Sequence, residues 1–372
     1  MTVPLSVLDL VPIPAGGTAP QAVRNTLDLA RRTEAAGYRR YWLAEHHLAP
    51  GVASSAPQVL IGAVAAATSR LRVGSGAVQT GHWTPLAVAE QFATLDALYP
   101  GRIDLGLGRS GQRRAEALRR ADSPPPPREA RVVDGLLLPK PYDFGPLLAK
   151  SAGFALLTTL LQQPGAESPD FADVVDDIVR LLTGAYESPD GHRAQAVPGE
   201  GADLALWILG SSGGQSARVA GERGLPFAAN YHVSPANVVE AVEAYRAAFK
   251  PSDVLDEPYV VVSADVVAAP TDEEARLLAS PYGLWVRSIR TSLAAIPYPT
   301  EADAAAHEWT AEDRALVADR VDTQFVGSPE TVAAGLETLR RVTGADELLV
   351  TTITHDHADR VRSYELLAEA WA

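Results

Sequence analysis

Short apolar runs recur along the first hundred residues at a nearly even interval, and that interval constrains the fold more than any other feature of the chain. The runs cover residues 5–10, 41–44, 71–78 and 103–107, and their starts lie about 32 residues apart, the length of one strand-plus-helix unit. Between them lie longer, alanine-rich stretches with helical spacing. Val23, Leu27 and Ala30 share one helix face, which Gly37 ends. Ser55 ahead of Ala56-Pro57, and Thr84 ahead of Pro85, read as caps followed by early helical prolines. The pattern is βαβα. A similar period occurs in solenoids, but these segments share no side-chain template beyond their polarity.

Four further runs, residues 204–209, 227–229, 259–267 and 347–352, bring the count to eight. Eight parallel strands, each followed by a helix, close into an α/β fold of the (β/α)8 TIM-barrel type. An open doubly wound sheet would give the same alternation over the first half. A chain of 372 residues with 47% hydrophobic content can bury a core of this size, and one domain over 1–372 is expected. The even spacing breaks at about 110–203 and 270–325, which become insertions after strands 4 and 7. The first contains the proline tract 124–127, the second Pro281, Pro297 and Pro299. Both leave from strand C-terminal ends, where long connections serve as lids or binding loops.

Basic minus acidic residues gives a net charge of −14, a field that repels polyanions and argues against nucleic acid or an anionic membrane as partner. A small molecule is left as the expected partner. With no cysteine, a disulfide framework, a thiolate metal site and a cysteine nucleophile are all excluded. The stretch MTVPLSVLDLVPIP has no basic residue before its apolar part and is interrupted by Asp9, so it fits neither a signal peptide nor a membrane span; a cytoplasmic location is expected.

In a barrel the residues just past each strand face the catalytic mouth. Strand two ends in Glu45, His46 and His47. Strand three leads into GSGAVQTGHW, strand four into GLGRSG, strand five into LGSSGGQSARVAGERG and strand eight into TTITHDHADR. The two adjacent histidines invite a metal reading, but neighbours on an extended stretch point opposite ways, so no metal is expected. An acid/base or hydrogen-bonding role suits an imidazole better, and a histidine bonded beneath a loop is the bland alternative. GLGRSG matches the dinucleotide-binding pattern, yet it sits in the fourth unit with a proline tract where the helix should follow. Its small residues instead let a planar ligand approach the backbone, while Arg109 offers positive charge. In LGSSGGQSARVAGERG, backbone amides and the hydroxyls of Ser211, Ser212 and Ser216 can converge on an anion at a helix N-terminus; an ordinary capped turn is the alternative. His355, Asp356 and His357 read as a solvated loop or a helix cap.

Taken together, LAEHH after strand two, VGSGAV at strand three, PGRIDLGLGR at strand four and LGSSGGQSARVAGERGLPF at strand five closely resemble the bacterial luciferase-like flavin-dependent monooxygenases. The likeness is continuous over residues 3–110 and returns over 203–231 and 345–371. It implies a barrel that binds reduced FMN (FMNH2), forms a flavin C4a-peroxide with O2, and oxygenates a small organic substrate. A separate flavin reductase supplying FMNH2 and a homodimer are also implied. Residue by residue, the resemblance puts His46 at the catalytic histidine and a non-prolyl cis peptide at Gly76-Ala77 beneath the flavin. It puts Glu45, Ser75, Gly76, Ala77, Gly108, Arg109, Gly210, Ser211, Ser212 and Gly213 against the cofactor. Light-emitting relatives carry a cysteine at the position of Gly108, and the GRSGQRR segment is short. Two other readings are a deazaflavin F420-dependent oxidoreductase and a non-catalytic flavin-binding protein. Trp83, Phe144, Phe154, Trp285 and Trp309, in or near the insertions, suit a bulky apolar or aromatic substrate, or equally belong to the core.

Overall fold

The computed structural model describes residues 2–109, 128–143, 152–162, 165–166, 169–292 and 294–372. Ser110 and Gly111, the rest of the GRSGQRR segment, the proline tract 124–127, Phe144 and the side chain of Phe154 lie outside the described residues.

Eight strands form the barrel: β1 (Leu5–Asp9), β2 (Arg40–Leu43), β3 (Arg72–Ser75), β4 (Ile103–Gly108), β5 (Ala205–Gly210), β6 (Phe227–Asn230), β7 (Val260–Ala268) and β8 (Glu347–Thr351). Each pairs in parallel with the next, and β8 pairs with β1, so the sheet closes and leaves no edge among these eight. All eight expected runs are barrel strands. Their near-continuous apolar character follows from burial on both faces.

Side-chain alternation sorts these residues into two layers. On β7, Val260, Val262 and Ala264 pack outward under the helices, whereas Val261 joins an interior cluster with Leu8, Trp42, Trp207, Leu209, Ala228 and Leu349. Ser263 and Asp265 share the phase of Val261 and therefore also face inward. At the N-terminal end of the barrel the inward positions are charged. Arg40 donates to Asp104 at 2.8 Å and to Glu347 at 3.1 Å, with its guanidinium 4.6 Å above the Trp207 ring. Arg72 and the Trp42 indole also donate to Asp104, and the Tyr259 hydroxyl donates to Glu347. This network plugs the floor and leaves the opposite end for chemistry.

Two helix starts differ in kind. Thr84 caps the helix Pro85–Leu98 by accepting from the Ala87 N–H, as its sequence suggests. The helix Pro57–Ala67 starts one residue later than a Ser55 cap would require: Ala56 is its cap and bonds through no side chain. Proline at the first helical position lacks an N–H that would need one.

The segment after β7 roofs the mouth. Tyr282, Trp285 and Val286 of the helix Tyr282–Ser292, and Val317 of the helix Ala311–Val321, pack into the interior cluster together with Leu10, Ala44 and Ile353. Backbone bonds pin this roof to the loops after β1 and β2: Gly51 N–H to Ala295 O, Tyr298 N–H to Ile13 O and Ala15 N–H to Tyr298 O. The segment after β4 contributes the hairpin Arg131–Val133 and Leu136–Leu138, and the helix Ala152–Leu161, near whose end Gln162 donates to Gly81 O at 3.3 Å.

Candidate active site

The mouth is built where β2 to β7 end together. Past β2, Glu45 is turned out of the barrel and is only 3% exposed. Its carboxylate accepts from the Gln79 N–H at 2.7 Å and from the Trp83 indole at 2.9 Å, and it pairs with His47 Nε2 at 2.8 Å. It is thus committed to the loop after β3. His47 in turn meets the His82 ring edge-on, 5.9 Å between centroids. Trp83 therefore belongs to this buttress. Among the described residues no group of three histidine, aspartate or glutamate side chains could hold a metal ion.

His46 continues the inward phase of Trp42 and Ala44. Its N–H donates to Ser54 O at 3.0 Å, and its Nδ1 lies 3.5 Å from the Ser54 hydroxyl. Protein packed around the ring disfavours its charged form and pushes its pKa down to about 4, against a smaller upward pull from Glu45. The ring nonetheless remains exposed to the open mouth, so water moderates this depression until a ligand covers it.

Next to His46 the wall is glycine. The Gly76-Ala77 peptide is cis. A Cβ on Gly76 would lie 2.7 Å from Leu8 Cδ1, and one on Gly108 would lie 3.1 Å from the Ala77 Cβ. Glycine is required here by packing: a side chain at Gly76 would run into Leu8 and Trp42, and one at Gly108 would press on Ala77. Ser75 is fully buried and works behind this wall: its hydroxyl donates to Gly106 O and accepts from Gly106 N–H, both at 2.9 Å.

Past β5, the run from Gly210 to Gly213 leads into the helix Gln215–Glu222, whose start at Gly214 has no side-chain cap. Its first N–H groups are orphan donors. The hydroxyls of Ser211 and Ser212, half-buried beside them, have no hydrogen-bond partner among the described residues. Arg109 is drawn to the same corner, donating to Gln215 Oε1 at 3.2 Å. An uncapped helix start with hydroxyls and a positive charge beside it is the kind of place where anions bind. Ser216 is buried in the helix itself.

Past β8, Asp356 caps the helix His357–Trp371 through the Ala358 N–H. His355 is bonded to Ala15 O and His357 to Asp28.

Sequence reasoning missed the wall made by β6 and β7. His232, two residues past β6, has Nδ1 2.5 Å from the Ser263 hydroxyl. Beyond it Asp265 accepts from Arg320 at 3.2 Å and from the Tyr282 hydroxyl. His232 was open to the same strand-end logic that singled out His46. Arg320 was not, because 55 residues separate it from Asp265.

Comparison with known proteins agrees with this fold. The family described as luciferase-like monooxygenase matches residues 3–135 and 161–347. The chain belongs to that family. A Bacillus subtilis protein, the uncharacterized YvbT, is 42% identical over 99% of this chain and 96% of its own length. An Escherichia coli luciferase-like monooxygenase is 37% identical over 98% and 96%. The crystal structure of apo-MsnO8 superposes with a TM-score of 0.77 at 31% identity, covering 100% of this chain and 98% of that one. Two solved structures share the fold at lower identity. One is the oxygenating constituent of 3,6-diketocamphane monooxygenase in complex with FMN (TM-score 0.64, 18%, covering 100% and 98%). The other is an F420-dependent secondary alcohol dehydrogenase (TM-score 0.62, 14%, covering 100% of each). No described helix is long and apolar enough to cross a membrane.

Proposed function

We propose that this protein is a two-component monooxygenase that takes reduced FMN from a separate reductase and uses O2 to oxygenate a small apolar or aromatic molecule. The reading rests on one observation. An imidazole, a glycine wall and an uncapped helix start with free hydroxyls lie at the C-terminal ends of β2 to β5, on one rim. The flavin phosphate would be held by Ser211, Ser212 and the amides around Gly210 and Gly213, with charge from Arg109. The ring would lie along Gly76, Ala77 and Gly108. Reduced FMN supplies the electron pair for oxygen chemistry that no side chain performs. The protein's part is to bind, orient and exclude water. Glu45 and Ser75 hold the loops behind the ring, the roof from Tyr282 to Tyr298 keeps water out, and neutral His46 exchanges a proton at the reacting edge. A homodimer in the cytoplasm belongs to the same proposal.

Hydride transfer with F420 is the second reading, favoured by the F420-dependent dehydrogenase of the same fold. Titration with FMN, reduced FMN and F420 separates the two. Reduced FMN should bind tightest, and rapid mixing of that complex with O2 should give a long-lived oxygenated-flavin absorbance. Tighter binding of reduced F420, with no oxygen-dependent absorbance, would replace the first reading by the second.

A further inference from the structure

The wall formed by β6 and β7 carries an imidazole that the flavin reading leaves without a task. We propose that His232 is a substrate-binding residue, locked by Ser263 in the tautomer with its proton on Nδ1, and that it selects substrates bearing a hydroxyl group. The substrate class depends on the monooxygenase reading; the tautomer and the binding preference do not.

Ser263 faces into the barrel, in phase with Val261. A hydroxyl has one proton to give; the proposed assignment places that of Ser263 on its bond to Ala229 O, 3.4 Å away. At 2.5 Å from His232 Nδ1 the same oxygen then acts as acceptor, so Nδ1 carries the imidazole proton. Nε2 is left with a lone pair and has no partner among the described residues. The ring is half-buried, within reach of a molecule in the mouth.

The surroundings keep it uncharged. Burial comes first, and the positive charge of Arg320 and the neighbouring His46 act in the same direction. Arg320 is itself matched by Asp265 and Tyr282, so this wall presents a neutral acceptor and no uncompensated cation. Such a group pairs with an O–H and gains nothing from an ether or ketone oxygen. Tyr282 stacks on Trp285 at 6.0 Å between centroids, and Trp285 lies 6.4 Å from Tyr298. All three rings are buried behind the lining, so they make the roof apolar without themselves touching a ligand, and the class this wall selects is an alcohol or phenol on an apolar frame.

The test uses the full chain without flavin and three probes, 2-naphthol, 2-methoxynaphthalene and naphthalene, followed by tryptophan fluorescence. 2-Naphthol should bind about tenfold tighter than 2-methoxynaphthalene, the scale of one buried hydrogen bond. The ratio should fall to about one in His232→Phe and to an intermediate value in Ser263→Ala, where the ring loses its anchor. Equal affinity for the two probes in the unaltered chain, or a preference that survives in His232→Phe, overturns the proposal. If that variant does not fold, His232→Leu takes its place. Nitrogen NMR of the unaltered protein is an independent check: the His232 Nε2 should resonate as an unprotonated nitrogen, and a proton on it overturns the assignment. A protein that ignores FMN yet prefers 2-naphthol would end the flavin reading and leave this one standing.

Discussion

Replacing Arg40 by methionine keeps the length of the side chain and deletes the charge at the barrel floor. Arg40 is 5% exposed, and both of its carboxylate partners, Asp104 and Glu347, are fully buried. Asp104 would keep Arg72 at 2.8 Å and the Trp42 indole at 2.9 Å. Glu347 would keep the hydroxyls of Tyr259 and Ser6, with Arg39 the nearest remaining cation at 3.7 Å and itself largely solvated. One uncompensated buried carboxylate therefore remains. Removing one partner of a buried pair costs about 3–5 kcal/mol, and the retained partners of Asp104 put this case near 3 kcal/mol. In urea unfolding followed by tryptophan fluorescence, the midpoint should drop with an unchanged slope. Adding Glu347→Gln removes the orphan charge and should restore at least about 1 kcal/mol. FMN affinity, set at the opposite end of the barrel, should not move well below the unfolding transition. A loss under about 1 kcal/mol, or no recovery in the double variant, would refute the claim that the floor is held by charge pairing.

Three further outcomes are expected. His46→Ala should keep FMN affinity within about threefold while cutting the ratio of product to oxygen consumed by about a hundredfold, the low side of what a general acid/base contributes; unchanged coupling in an oxygen-electrode assay would remove the role. Ser211→Ala combined with Ser212→Ala should weaken FMN binding by about tenfold, the scale of one or two net hydrogen bonds, and leave riboflavin binding unaltered; equal losses for both flavins would show that the cradle does not read the phosphate. Stability should fall in two stages on acidification. Burial and nearby charge depress His232 to about 3, and burial pushes His46 toward about 4, less what water at its exposed ring restores, so the unfolded chain takes up protons first below its ordinary value of ~6.5, and that contribution is lost as pH drops from there toward 3. Asp9 follows. Burial raises its pKa, but Arg360, Thr26 and Tyr41 outweigh that and lower it, so its contribution is present above ~3.9 and disappears below. A His46→Gln/His232→Gln double variant should flatten the first stage in urea melts across pH, and an unaltered profile would contradict the assignment.

The eight strands could be read from the sequence because a barrel strand is buried on both faces and so announces itself as an apolar run bounded by turns. The position of Gly76, Ala77, His46, Ser211 and Ser212 on the rim was legible too, since each lies within a few residues of such a run; their roles remain those proposed above. Glu45 shows the limit: the resemblance implied a place beside the cofactor, while its carboxylate is engaged by Gln79, Trp83 and His47. Whether the first residue past a strand points in or out depends on alternation relative to the barrel axis, and an apolar run buried on both faces does not reveal that phase.

Local chemistry in the chain thus determined the order of elements, the rim on which the site lies and the glycines that keep one wall flat. The closed sheet decided the rest. It sets Arg320 against Asp265 across 55 residues, brings Ser263 to the His232 ring, and draws the roof from Tyr282 to Tyr298 over the mouth. Hydrogen bonds and ion pairs of this kind form between side chains remote in sequence, and their partners are chosen by strand register and packing, which no window along the chain contains.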